Sequence, residues 1–224
     1  MSDERQTTVV VVEDDHMVRD WICVALRRLK AVTVIGEAAN GRKAISVVDK
    51  LKPDIVILDI GLPQQNGIDV ALEIHQRYPQ IGVIMLSGHA QHDDVMRSFK
   101  AGARGYVSKA GHPAELEIAV AAVSKGEVFI SPVVAGRVLS CCLDRRLPPA
   151  SELERLTARK RQVLQLIAEG AANKEVARIL GTTVKNAEKH RYELMKKLRV
   201  RNAAELAIFA VKTGLVDPSR VSSN

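Results

Sequence analysis

Five times within the first 125 residues, a short, mostly apolar run, often β-branched, gives way to a stretch with apolar residues at helical spacing. Few folds accept that alternation, because parallel strands need long crossovers and a helix is the usual crossover. The spacing predicts strands over 8–12, 32–35, 54–58, 82–86 and 105–107. Helices are predicted after the first strand (Val18, Trp21, Ile22, Ala25, Leu26 and Leu29 on one face) and over 41–51, 67–78, 93–101 and 113–123. The strand runs are mostly apolar instead of strictly alternating, so both faces of the sheet must be covered. The expectation is an α/β fold built on a doubly wound, five-stranded parallel sheet.

In open α/β sheets, ligands gather at the carboxyl ends of the strands. There the sequence places Glu13 and Asp14 after the first strand, Asp59 at the end of the third, Ser87 at the end of the fourth and Lys109 at the end of the fifth. Each residue alone has an ordinary explanation, since a single Asp or Ser at a strand end commonly caps a turn. Together they put three carboxylates, a hydroxyl and an ammonium on one edge. Clustered carboxylates repel unless a cation holds them, and an all-oxygen donor set suits Mg²⁺. A hydroxyl and a lysine beside them can bind phosphoryl oxygens. The edge is suited to accepting a phosphoryl group on Asp59.

The formal charge of +7 is not spread evenly. Residues 1–150 hold 18 Lys and Arg against 18 Asp and Glu, whereas residues 151–224 hold 15 against 8. All of the excess lies in the last third, which predicts two units, the second with a polyanionic partner. With three cysteines, two of them the adjacent Cys141 and Cys142, there is no disulfide framework and no zinc-site spacing. No apolar run approaches a membrane span. A reducing cytoplasm is the expected location, with no membrane association.

We read residues 1–126 as the first domain and 127–152 as a linker containing a short helix. The segment from 153 to 224 is read as an all-α domain of four helices. In that domain Thr157 and Asn173 are predicted N-caps, Gly170 and Gly181 helix ends, Thr182-Thr183 the start of a third helix and Asn202 of a fourth. Two short helices joined by a Gly-containing turn make a helix-turn-helix. Along the third helix Ala187, Leu194 and Leu198 face inward, and Lys185, Glu188, Lys189, Tyr192 and Lys196 form the opposite stripe. Such a stripe is often only solvated, but here it lies on the helix that enters the major groove in this motif.

Val-Val-Glu13-Asp14-Asp15, Pro53 through Pro63 with Gly67, Val-Ile-Met-Leu-Ser87-Gly88 and Gly105-Tyr-Val-Ser-Lys109-Ala together resemble the receiver domain of two-component response regulators. The resemblance implies that Asp59 takes a phosphoryl group from a sensor histidine kinase. It implies that Glu13, Asp14, Asp59 and the Gly61 carbonyl hold Mg²⁺, and that Ser87 and Lys109 bind the phosphoryl oxygens. Tyr106 would be the aromatic whose rotamer reports the modified state. Three acids stand in a row, and counting back from Arg19 selects Glu13 and Asp14 as the metal pair, with Asp15 outside it.

Residues 156–215 resemble the LuxR-type (NarL/FixJ-type) DNA-binding domain. The resemblance rests on Leu156-Thr-Ala-Arg-Lys-Arg-Gln-Val-Leu164, Leu166-Ile-Ala-Glu-Gly170, Asn173-Lys-Glu-Val-Ala177, Leu180-Gly181, Glu188-Lys-His-Arg191, Lys197-Leu198 and Gly214-Leu215. Lys174, Thr183, Lys185, Asn186, Glu188, Lys189, Arg191, Tyr192 and Lys196 are then the candidate DNA contacts. Lys160 and Gln162 stand where the family usually has Glu, and Asn186-Ala187 where it usually has Thr-Val. A smaller Ala187 in a packed position can leave a gap.

The combined expectation is a homodimeric transcription factor, switched by phosphorylation at Asp59, that binds double-stranded DNA. It would accept and self-hydrolyse its own phosphoryl group without acting as an enzyme on outside substrates. Phosphohydrolases of the haloacid dehalogenase type also use an Asp nucleophile on a parallel sheet, but they need a second Asp two positions on as general acid. Here that position is Gly61. A regulator whose basic domain docks on proteins instead of DNA is the other alternative, separable by salt-dependent binding to duplex DNA.

Overall fold

The structure, a computed structural model, describes residues 6–88, 92–143 and 152–221. The chain divides into two compact units, with the main division between Leu147 and Pro148.

In the first unit the strands are β1 (Thr7–Val12), β2 (Val32–Ala38), β3 (Ile55–Asp59), β4 (Gly82–Ser87), β5 (Gly105–Ser108) and β6 (Phe129–Ile130). They form one parallel sheet in the order β2-β1-β3-β4-β5-β6. The helices are α1 (His16–Arg27), α2 (Gly41–Leu51), α3 (Gly67–Arg77), α4 (His92–Lys100), α5 (Ala114–Ser124) and α6 (Pro132–Leu143). Strand side chains alternate between two faces, and two separate cores follow from that. Val9, Val11, Ile55, Ile57, Ile84, Leu86 and Val107 meet Ile22 and Leu26 of α1 and Leu116, Ala119, Val120 and Val123 of α5. Val10, Val12, Val56, Leu58, Val83, Met85 and Tyr106 meet side chains of α2, α3, α4 and α6.

The sheet has six strands, one more than expected. Phe129 and Ile130 pair with Gly105 and Tyr106 at the open edge of β5. Phe129 and Ile130 are both strand-favouring, but two residues give no periodicity, and the open edge of β5 supplies the partner that makes them a strand. The helix that follows also belongs to this unit. Val134 is completely buried in the same core as Tyr106, and Val138 packs against that core. Val133 and Leu139, apolar at the same helical spacing, face solvent. The segment read as a linker therefore carries an added strand and a docked helix. Its remainder, residues 144–151, lies outside the described residues.

The second unit consists of α7 (Ala158–Ala168), α8 (Asn173–Leu180), α9 (Val184–Leu198) and α10 (Ala203–Lys212). Thr157, Thr183 and Asn202 cap their helices through side-chain acceptors. Asn173 does not. Ala172 holds the cap position without a side-chain bond, and Asn173 is the first helical residue. Gly181 turns the chain from α8 into α9 at φ +61°, a left-handed conformation that costs glycine nothing. The core is aliphatic, with Leu164, Leu194, Leu206 and Ala210 fully buried.

Candidate functional site: an acidic strand edge and a basic helix

β1 ends at Val12, and the next three residues separate. Glu13 is buried at 1% exposure and Asp14 is half-buried. Asp15 turns outward and caps α1, its Oδ1 accepting from the amides of Met17 (2.8 Å) and Val18 (3.2 Å). Arg19, one turn into α1, fixes this arrangement from behind. Its Nη1 donates to the Glu13 carbonyl at 2.7 Å, and its Nε donates to Glu37 at 3.2 Å. In the sequence Arg19 serves only as a counting mark. The signal for its role is an arginine on the first turns of a helix entered directly from an acidic strand end.

Asp59 closes a strand in which every residue is buried. Gly67, the first residue of α3, lies so near that a Cβ there would stand 1.9 Å from the Asp59 carbonyl oxygen. No side chain fits at that crossing. Gly61 is next to the Asp59 carboxylate, 3.3 Å from Oδ2 to where a Cβ would be. Lys109 reaches the site from the end of β5, with its amide held by the Ser87 carbonyl at 2.8 Å. Its Nζ lies 2.6 Å from Glu13 Oε2 and 2.8 Å from Asp59 Oδ1. Oxygens of Glu13, Asp14 and Asp59 all lie within 4.8 Å of one another.

The charges around this edge do not balance. Burial, followed by the charge of Asp59, raises the Glu13 pKa above the ordinary carboxylate value even though Lys109 opposes the rise. Burial works to lower the Lys109 pKa, but Asp59 and Glu13 outweigh it and the net shift is upward. Three carboxylates thus face one ammonium. An all-oxygen set with excess negative charge fits a hard divalent cation. Ser87 is buried at the neighbouring strand end, and Tyr106, fully buried, lies one strand further. Burial pushes the Tyr106 phenol well above its ordinary pKa; Ser87 opposes the rise, and Asp94 and Asp59 add to it.

On α9 the predicted division of faces is present. Ala187, Leu194 and Leu198 are buried, while Lys185, Asn186, Glu188, Lys189, Tyr192 and Lys196 are exposed. Tyr192 is 69% exposed, a large aromatic left in solvent. Arg191 is half-buried at the flank, and Lys174 is exposed on the first turn of α8. Thr183 is exposed, and its Oγ1 accepts from the Asn186 amide as the helix cap; the Asn186 side chain donates to Thr182 Oγ1 at 3.2 Å. Lys160 contributes to packing geometry as well as charge, because its Nζ lies 3.3 Å from Glu193 Oε2 and joins α7 to α9.

Residues 9–149 match the response regulator receiver domain family, and residues 154–210 match the family of bacterial regulatory proteins of the luxR type. Among curated relatives, the uncharacterized transcriptional regulatory protein YhcZ of Bacillus subtilis is 32% identical over 207 residues, 92% of this chain and 96% of that one. The nitrate/nitrite response regulator protein NarL of Escherichia coli K12 is 28% identical over 209 residues, 93% of this chain and 97% of its own. The solved structure of RcsB from Salmonella enterica serovar Typhimurium, bound to promoter rprA with the phosphomimetic BeF₃⁻, is also similar. It is 25% identical, superposes with a TM-score of 0.62 and spans 92% of this chain and 98% of its own. With a receiver domain ahead of a luxR-type domain, and relatives matched along nearly their whole length, this chain belongs to the LuxR-type (NarL-like) response regulators of transcription.

Proposed function

We propose that Asp59 is the phosphoacceptor of this regulator and that a sensor histidine kinase is its donor. The observation that carries the reading is the convergence of Glu13, Asp14, Asp59 and Lys109 at one strand edge. In the transfer, an Asp59 carboxylate oxygen bonds to phosphorus as the phosphorus–nitrogen bond of a phosphohistidine breaks. The bonding electron pair leaves with the imidazole nitrogen. A bound Mg²⁺, held by Glu13, Asp14, Asp59 and the Gly61 carbonyl, would supply charge neutralisation for the transferring oxygens.

The chain's own groups do the rest. Lys109 exchanges its Asp59 contact for a phosphoryl oxygen, and the Ser87 hydroxyl donates to another. Tyr106 follows Ser87, and α4 and β5 move as one bistable element. Water later hydrolyses the acyl phosphate, returning Asp59 to a carboxylate. In the second unit, α9 reads the major groove with Lys185, Lys189 and Tyr192 foremost, supported by the other exposed candidates and by the net positive charge. Binding as a homodimer in the cytoplasm, on half-sites related by two-fold symmetry, follows from the usual geometry of such motifs. The RcsB–promoter complex supports this reading by analogy.

The test is labelling by acetyl phosphate in Mg²⁺. Wild type should take up phosphate, and Asp59→Asn should take up none, because the amide is not a nucleophile here. Full labelling of Asp59→Asn removes Asp59 from the role.

A further inference from the structure

Lys109 has to keep an ammonium within reach of Asp59 on a long, flexible stem. What holds its backbone is therefore as important as its charge. Ahead of it in the chain, the Ser108 amide donates to the Ser131 hydroxyl at 3.0 Å. That hydroxyl in turn donates to Glu115 Oε2. Behind it, the loop closes on the same carboxylate, for the His112 amide donates to Glu115 Oε1 at 3.3 Å. Glu115 thus holds both ends of the short segment that presents Lys109. The fit is close, since a Cβ on Gly111 would stand 2.8 Å from Glu115 Oε2. Ser131 itself is completely buried, and its amide donates to the Tyr106 carbonyl at 2.9 Å. Its carbonyl accepts from the Val134 and Ala135 amides, which opens α6.

We propose that Glu115 and Ser131 are positioning residues for Lys109 in phosphoryl transfer to Asp59. The proposal rests on the phosphoacceptor reading above. Neither residue is a metal ligand or a phosphoryl contact, so their loss acts through the placement of Lys109. Carboxylate attack on phosphorus, with departure of the donor's leaving group, needs the ammonium placed on a phosphoryl oxygen. Metal binding by Glu13, Asp14 and Asp59 does not.

The experiment uses the full chain, acetyl phosphate as donor and Mg²⁺, and reads both the initial labelling rate and the Mg²⁺ half-saturation. Glu115→Ala and Ser131→Ala should each slow labelling about tenfold or more, up to the roughly hundredfold that a misplacement of about 1 Å can cost. The Mg²⁺ midpoint should not rise in either, because Lys109 is a cation that competes with Mg²⁺ for the oxygens of Glu13 and Asp59. Ser131→Thr keeps the hydroxyl and should restore most of the rate. In a Lys109→Ala background neither substitution should slow labelling further, because coupled residues are not additive. Wild-type rates in Glu115→Ala and Ser131→Ala, or equal slowing with and without Lys109, overturn the proposal while leaving Asp59 in place. A wild-type chain that takes no label overturns the phosphoacceptor reading and this one with it.

Discussion

Glu13, Asp14 and Asp15 are neighbours in sequence, yet the turn after β1 sends their carboxylates to different work. Glu13 and Asp14 join Asp59 in the acidic cluster, while Asp15 satisfies two amides at the start of α1. The two roles have separable costs. Losing an N-cap acceptor costs about 1 kcal/mol of stability. Losing even an outer partner of a metal ligand costs about 10–100-fold in affinity, so losing a ligand should cost at least about tenfold. Asp15→Ala should therefore lower the unfolding midpoint and leave Mg²⁺ affinity unchanged, and Asp14→Ala should do the reverse. Urea denaturation and a Mg²⁺ titration followed by fluorescence of the single tryptophan, Trp21, measure the two quantities. A large Mg²⁺ defect in Asp15→Ala would move the metal pair by one residue. Counting back from Arg19 could separate Glu13 and Asp14 from Asp15 because a helix turn fixes how far that arginine sits from the strand end. It could not reveal that Arg19 grips the Glu13 carbonyl, since a backbone acceptor leaves no trace in sequence.

At the scale of elements, the informative pieces are β6 and α6, which extend the first unit past the boundary expected at residue 126. Val134 is fully buried there, and burying a valine contributes roughly 1.5–3 kcal/mol relative to exposure. A fragment 1–143 should accordingly exceed a fragment 1–126 in unfolding free energy by roughly 1.5–3 kcal/mol, a difference urea titrations resolve. Equal midpoints would mean that α6 rests on the fold without supporting it. The five strand–helix pairs were legible because each strand run and each helical stripe is long enough to show its period. β6 was not, because two residues have none and its pairing depends on an edge formed 24 residues earlier. Asn173 illustrates a local miss: its side chain suits a cap, but the chain places Ala172 there. Lys160 was legible as an unusual charge, but its partner Glu193 lies on another helix and only folding brings them together.

At the scale of the whole molecule, an uncharged balance over residues 1–150 is joined to a basic unit with its own aliphatic core. Two switches are compatible with that division. In one, the unphosphorylated receiver covers Lys185, Lys189 and Tyr192, and phosphorylation uncovers them. In the other, the α9 face is always open and phosphorylation acts only by pairing two chains on a two-fold operator. The first makes the receiver an inhibitor of the basic unit, and the second makes it only a dimerisation unit. The two switches part on a single half-site, where pairing brings no advantage. Fragment 150–224 should bind such a duplex with affinity that falls steeply as salt rises, since Lys and Arg displace condensed counterions. At concentrations too low to dimerise, the unphosphorylated full chain should bind it more weakly than the fragment, and acetyl phosphate should bring the full chain up to or past the fragment. Fluorescence anisotropy at one fixed salt concentration makes the comparison. If full chain and fragment bind equally without a phosphodonor, occlusion is wrong and dimerisation alone is the switch.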